Sequence, residues 1–161
     1  MKPLDHPTKE FVLSILDQAN SLTLATIRPD GYPQATAVTF ARDGLTLYVS
    51  VGLGSQKAQN IQHNNKVSVA VNCDGDYGDW TTIKGLSMGG IATIVHGERE
   101  VRHACDCLLK KFPKLRQLSV ESHPSLTEGA VFIQIDPEVI SVIDYQKGFG
   151  HADLVAVPRE A

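Results

Sequence analysis

The sequence has few cysteines, few aromatic residues and no long apolar run. It has three cysteines in 161 residues, too few for the two cysteine pairs of a structural zinc site. Aromatic residues make up 6% of the chain, and the net charge is -3. Nucleic-acid binding normally needs a basic excess or basic residues interleaved with aromatic ones. No run of 18 apolar residues and no apolar signal segment appears. We therefore expect a cytoplasmic protein with reduced cysteines and with no nucleic-acid or membrane partner.

The remaining composition is that of an ordinary globular domain. Hydrophobic residues make up 42% of the chain and charged residues 20%. A chain of this length fits one domain. We divide that domain, residues 1–161, into an amphipathic helix at 7–20, a β-rich body at about 21–145 and a C-terminal tail at 146–161.

Alternating apolar residues predict a three-stranded antiparallel meander after the first helix. Its strands are expected at 21–28, 34–42 and 45–51. Pro29-Asp30-Gly31 and Asp43-Gly44 provide the two turns, since proline fixes φ and glycine accepts a positive φ.

Further along, helices and strands continue to alternate at short spacing. The pattern predicts strands at 66–72, 80–83, 91–96, 130–135 and 139–145, helices at 57–64 and 101–112, and a short helical or irregular piece between Pro113 and Pro124. Six or seven strands at this spacing favour a mainly β fold, a closed antiparallel barrel with flanking helices.

The segment from Gly52 to Lys57 has the elements of an anion site. Glycines let the backbone approach a ligand, and Ser55 is a good N-cap for a short helix. The helix N-terminus offers unpaired N–H groups, and Lys57 adds a full positive charge. The segment has neither the third glycine of a dinucleotide fingerprint nor the Gly-Lys-Ser/Thr of a P-loop. A different small phosphate ligand is therefore the better interpretation.

The order of motifs around this segment resembles a known family. "LATIRPDGYPQATAVTF", then "LYVS", then "LGSQKAQNIQHNNKVSVAV" resembles the pyridoxamine 5'-phosphate oxidase-like split β-barrels that bind FMN. Later, "GAVFIQIDPEVISVIDY" looks like the last barrel strands of that family. The resemblance implies a split barrel, FMN as the cofactor, and a homodimer with its flavin sites between the subunits.

The resemblance also implies which residues contact the flavin. The second strand would lie along the ring, the end of the third strand would contact the ribityl chain, and a Ser-Arg-Lys motif would hold the phosphate. In this sequence these positions are Ala35, Thr36, Ala37 and Val38, then Val49 and Ser50, then Ser55, Gln56 and Lys57.

Position 56 departs from the family, because glutamine cannot form the charged bidentate grip of arginine. Lys84 is the first candidate for a replacement cation, and Arg28 is the second. Trp80 and Tyr145, with Met88 and Phe149, are candidates for covering the ring from the partner chain, although core packing explains each of them as well. Gly89-Gly90 predicts either a close approach of backbone or ligand, or a bulge.

The family implies a flavin-dependent oxidoreductase in which the cofactor carries the redox step. The end of the chain, "DYQKGFGHADLVAVPREA", departs from that of true pyridoxamine phosphate oxidases, so a different small-molecule substrate is expected. Lys147 and His151 could place a cation and a proton carrier near the ring, or belong to a surface tail that completes the dimer. Two alternatives stay open: a non-catalytic flavin or haem reservoir or sensor, and a reductase that uses deazaflavin F420.

Overall fold

A computed structural model describes residues 1–73, 75–118 and 129–158. The helices are α1 (His6–Gln18), α2 (Gln56–His63) and α3 (Glu98–Lys111). The strands are β1 (Lys2–Pro3), β2 (Ser21–Ile27), β3 (Pro33–Thr39), β4 (Ala41–Asp43), β5 (Thr46–Gly52), β6 (Lys66–Asn72), β7 (Lys84–Ile94), β8 (Ala130–Asp144) and β9 (Ala152–Ala156). Short 3-10 turns lie at Trp80–Thr82, Pro113–Leu118 and Tyr145–Lys147.

The first helix and the two turns after it agree with the sequence pattern, whereas the predicted meander is two hairpins, β2–β3 and β4–β5. Asp5 caps α1 by accepting a hydrogen bond from the Thr8 N–H at 2.9 Å. The two predicted turns place Gly31 at φ 84° and Gly44 at φ 57°, the left-handed region in which glycine is favoured. The helices α1, α2 and α3 and the strand β6 lie within a few residues of their predicted bounds.

The structure differs from the predicted strands at several places. Residues 80–83 form a 3-10 turn, because Asp79 accepts hydrogen bonds from the Thr81 backbone and hydroxyl and starts a tight turn. The strand predicted at 91–96 is the second half of the longer β7. The two strands predicted at 130–135 and 139–145 are one strand, β8, which runs through Pro137. The tail contains an unpredicted strand, β9. The helical piece predicted between Pro113 and Pro124 is a 3-10 turn as far as 118, and its remainder lies outside the described residues.

All nine strands belong to one sheet, which confirms a mainly β fold with flanking helices. Its order is β1-β9-β8-β7-β6-β2-β3, and β5 pairs with both β8 and β4. Every pairing is antiparallel except that of β1 with β9.

The closure that strand spacing favoured is wrong, because the sheet is open between β3 and β5, as in the split barrel that the resemblance implies. The predicted strand 34–42 is broken at the fully buried Phe40. β3 pairs with β2 before the break, and β4 pairs with β5 after it. The covalent chain at Phe40, rather than a ladder of hydrogen bonds, therefore bridges the split.

Lys111 of α3 contacts both the split in the sheet and the end of α1. Its ammonium lies 3.8 Å from the centre of the Phe40 ring. It also donates hydrogen bonds to the carbonyl oxygens of Leu16 at 3.2 Å and Ala19 at 2.6 Å, which lie at the end of α1. Burial lowers the pKa of Lys111. One side chain of α3 thus caps α1 and packs on the break in the sheet.

The Gly89-Gly90 pair forms a bulge, at which the register between β7 and β8 shifts. A Cβ at Gly90 would collide with the backbone of Asp136 and lie 2.9 Å from the Pro137 Cα. At Gly89 a Cβ would meet no atom within 4 Å. The expected close approach of backbone therefore occurs at Gly90 alone.

Among the described residues, no helix combines the length and the apolar character needed to cross a membrane.

Candidate functional site

The segment from Gly52 to Lys57, which we call the anion loop, leads into the start of α2 as the sequence pattern predicts. Ser55 is the N-cap of α2, and its Oγ accepts a hydrogen bond from the Ala58 N–H at 3.3 Å. The N–H groups of the first helical turn have no partner within the helix. A Cβ at Gly52 or Gly54 would meet no atom within 4 Å, so the space beside the loop is open. Lys57 lies half-buried in the first turn. An anion placed here would meet helix N–H groups and one ammonium.

Gln56 turns away from the loop. Its Nε2 donates to the Asn60 Oδ1 at 2.8 Å. Asn60 is fully buried, and its Nδ2 donates to Thr26 Oγ1 at 2.9 Å and to Gln34 Oε1 at 3.1 Å. This network ties the start of α2 to β2 and β3. Sequence reasoning missed Asn60. The signal that could have found it is a polar residue next to the apolar positions Ala58 and Ile61 of a short helix.

The two strands assigned to the flavin differ in exposure. On β3, Ala35 and Ala37 are exposed, whereas Thr36 and Val38 are half-buried. Through Gln34 this strand begins beside α2, so β3 and the anion loop share one end of the sheet. On β5, Val49 is fully buried in the core and Ser50 is half-buried.

Lys84 lies far from the anion loop of its own chain. The end of α2 shares a groove with Ala92, Thr93 and Ile94 of β7. Lys84 precedes Ala92 by eight residues on the same strand, which corresponds to about 25 Å at roughly 3.3 Å per residue. Within one chain, Lys84 therefore cannot replace the arginine that is missing at position 56.

Arg28, the second candidate cation, lies just after β2. Its guanidinium forms an ion pair with Asp30 at 3.2 Å. Lys57 is thus the cation that the loop itself supplies.

The aromatic candidates gather at the end of the sheet opposite to the loop. Trp80 and Tyr145 both lie within 5.5 Å, centroid to centroid, of the Phe149 ring. The Tyr145 N–H donates to the Ile83 carbonyl at 3.0 Å, which joins the two turns that hold the rings. Phe149 is 77% exposed and Trp80 45% exposed. Met88, by contrast, is buried in the core.

The tail beside these rings is held by Asp153. Its carboxylate binds Lys2 at 3.1 Å, Lys147 at 3.2 Å and His151 at 3.0 Å. Hydrogen bonds from His151, and then from the two lysines, hold the pKa of Asp153 far below its usual range. Lys147 and His151 are therefore fixed next to the aromatic rings and away from the anion loop.

Cys73, Cys105 and Cys107 form no disulfide with one another, and Cys73 and Cys105 are buried. Burial, and then Asp43, raise the pKa of the Cys107 thiol, although its Sγ lies 3.7 Å from His103 Nε2. In the described part of the chain, no group of three or more histidine, cysteine or acidic residues has the geometry of a metal site.

On the side of the sheet that faces away from the core, two neighbouring cross-strand rows carry no charge across six strands. We call the following two cross-strand rows the outer face: Ala35, Ala25, Ser68, Gly89, Val139 and Ala156, then Ala37, Thr23, Ala70, Ser87, Ser141 and Leu154. Every member is exposed or half-buried. Of the four β3 residues that were assigned to the flavin, Ala35 and Ala37 therefore lie at one edge of a broad neutral surface, whereas Thr36 and Val38 point to the other side of the sheet.

The chain is similar in sequence to known proteins. Residues 8–143 match the sequence profile of the pyridoxamine 5'-phosphate oxidase family. The chain is 36% identical over 73 residues to general stress protein 26 of Bacillus subtilis. That match covers 44% of this chain and 51% of the relative, so only about half of the relative's length is spanned.

Solved structures of similar fold include two haem proteins. A haem-binding protein from Mycobacterium smegmatis superposes with a TM-score of 0.77 at 18% identity, over 95% of this chain and 59% of that chain. The haem storage protein HutZ from Vibrio cholerae superposes with a TM-score of 0.66 at 18% identity, over 80% of this chain and 89% of that chain. At these identities the likeness establishes the fold.

Proposed function

The chain belongs to the pyridoxamine 5'-phosphate oxidase family, and on that premise we propose that it binds FMN and acts as a flavin-dependent oxidoreductase on a small molecule. The observation that carries the proposal is the open start of α2, with Ser55 and Lys57, held beside β3 by the buried Asn60. Ser55, Lys57 and the first-turn N–H groups would hold the phosphate, and β3 would support the ring. When bound, the flavin would supply hydride transfer.

We further propose that the functional unit is a homodimer formed through the outer face. One chain separates the anion loop from the Trp80, Tyr145 and Phe149 rings by the length of the sheet. A second copy related by a two-fold axis would bring its rings toward the first copy's loop. Lys84 lies at the same end as those rings, so a partner's lysine would supply the second cation.

The phosphate assignment is tested by flavin titration of Lys57→Ala. We expect a loss of roughly 1–3 kcal/mol in FMN binding, the range for a charged hydrogen bond. Lys66→Ala, which removes an exposed lysine from the start of β6, is the matched control and should bind as the parent does. Unchanged FMN affinity in Lys57→Ala would remove the phosphate site from this loop.

Haem binding is a second candidate, favoured by one groove. His63 and His96 are both exposed and line a groove of about 510 Å³ at the end of α2. Histidine is a common axial ligand of haem iron. The visible spectrum of the purified protein, and the compound released on denaturation, distinguish flavin, haem and F420. A haem spectrum that is lost in His63→Ala and His96→Ala would favour this second candidate over the first.

A further inference from the structure

Asn60 uses its whole side-chain amide in hydrogen bonds. Its Nδ2 donates to Thr26 Oγ1 at 2.9 Å and to Gln34 Oε1 at 3.1 Å. Its Oδ1 accepts a hydrogen bond from Gln56 Nε2 at 2.8 Å. A side-chain amide has two N–H donors and one carbonyl oxygen, so these contacts engage both the nitrogen and the oxygen of this fully buried residue.

The three partners of Asn60 lie on three different elements. Thr26 of β2 and Gln34 of β3 face each other across the ladder between these two strands. One amide nitrogen therefore holds a cross-strand pair. Gln56 is the first residue of α2 and directly follows the N-cap Ser55. The network thus runs from the end of the anion loop, through Asn60, to the start of β3.

The helix α2 depends on tertiary contacts for its position. It has 8 residues, and a helix of this length is marginal by itself. Its buried apolar residues, Ala58 and Ile61, hold it in the core, but apolar burial has no preferred direction. Hydrogen bonds are directional, and a buried network with every member satisfied makes a structure rigid. The contacts of Asn60 therefore fix the start of α2 relative to β3.

We propose that Asn60 is a positioning residue that couples the phosphate half and the ring half of the flavin site, an inference that rests on the proposed function. The phosphate half is the anion loop with Ser55 and Lys57. The ring half is β3 over residues 35–38, directly after Gln34. FMN spans both halves with one molecule, so its affinity depends on their separation and orientation. A ligand that contacts one half alone does not depend on them.

Three ligands separate this coupling from ordinary stabilisation. FMN contacts both halves, riboflavin has the same ring without the phosphate, and inorganic phosphate contacts the loop alone. Flavin binding to the full chain is measured by fluorescence titration, and phosphate binding by NMR shifts of the Gln56, Lys57 and Ala58 amides. A residue with a purely structural role would affect all three ligands alike, whereas a coupling residue affects FMN.

The variants remove one arm of the network at a time. Gln34→Met removes the acceptor on β3 and keeps a side chain of similar length. We expect it to weaken FMN binding roughly tenfold, the effect of one hydrogen bond, and to leave riboflavin and phosphate binding unchanged. Thr26→Val should act in the same direction, whereas Thr26→Ser keeps the hydroxyl acceptor and should bind FMN as the parent does.

Gln62→Met is the matched control, because it makes the same substitution at an exposed position of α2 and should leave FMN binding unchanged. Thermal unfolding checks that each variant is folded. Unchanged FMN affinity in folded Gln34→Met and Thr26→Val would overturn the inference. So would an equal loss in Gln62→Met, or a loss of the same size for FMN and for riboflavin or phosphate.

Failure of the proposed function has a different signature. A parent protein that binds neither FMN nor inorganic phosphate would remove the site, and the inference with it. A parent that binds FMN, with network variants that bind it equally well, would leave the site in place and remove only the role of Asn60.

Discussion

The inner and outer faces of the sheet from β3 to β9 are built from the same alternating strands but differ in side-chain size. One inner row consists of large apolar residues no more than 1% exposed: Leu24, Val69, Met88, Ile140 and Val155. The neighbouring outer row runs from Ala37 to Leu154, carries no charge and, apart from Leu154, has small side chains. A sheet face meant for water normally carries polar and charged residues. The outer face is instead depleted of charge in the way that interface cores are.

The largest expected effect is on the inner face. Ile140→Ala should lower the free energy of unfolding by about 2–5 kcal/mol, because it leaves a cavity in a fully buried row. Its sequence neighbour Val139 lies on the outer face and is half-buried. Val139→Ala is therefore the control, with an expected loss well below that of Ile140→Ala in denaturant titrations. Equal losses would show that the two faces are packed alike.

The next effect is at the bulge. Gly90→Ala should destabilise the fold by about 1–3 kcal/mol, because the added Cβ would collide with the Asp136 backbone. The same denaturant titration measures it. An unchanged free energy of unfolding would mean that β7 and β8 can move apart at Gly90 without loss of stability.

Gly89→Ala is the matched substitution one residue earlier. Its Cβ meets no atom within 4 Å, so we expect a stabilisation of about 0.4–1 kcal/mol through the unfolded chain. Weaker self-association in this variant, at unchanged stability, would place Gly89 inside the dimer contact. A destabilisation as large as that of Gly90→Ala would contradict the difference between the two positions.

The smallest effect on folding is expected from Ser87→Arg, in the centre of the outer face. An exposed substitution of this kind should change the free energy of unfolding by less than about 0.5 kcal/mol. It should nevertheless convert a homodimer to monomers, because an unpaired charge would be buried between the copies. Sedimentation velocity measures the change, with Thr93→Arg, exposed on β7 outside the two rows, as the control. A Ser87→Arg variant that remains dimeric would move the interface to another surface.

Local pattern predicted most of the fold. The β2–β3 and β4–β5 hairpins, their glycine turns and α1 follow from alternation, turn chemistry and capping. The errors have physical causes in long-range pairing. β8 continues through Pro137 because β5 and β9, its partners along one edge, leave that position unpaired while β7 pairs with it along the other edge. β9 forms only because β8 and β1 flank it. Neither condition is visible in a local window.

The candidate site was predictable in its position and less so in its contacts. Ser55, Lys57 and β3 do lie at one end of the sheet. The substitution at Gln56 was evident from the resemblance, but its hydrogen bond to the buried Asn60 depends on how α2 packs against β2 and β3. Lys84 cannot supply a cation to the anion loop of its own chain, because the length of β7 places it at the opposite end of the sheet.

The parallel ladder between β1 and β9 has a consequence for how the chain folds. Lys2 pairs with Val155, and its side chain binds Asp153. On a ribosome, the first strand must therefore wait for nearly the whole chain before its partner exists. Contacts of such long sequence separation slow folding, since the loop-closure entropy is lost before the contact forms. We expect β1 to join the sheet late, after the β2–β3 and β4–β5 hairpins have formed.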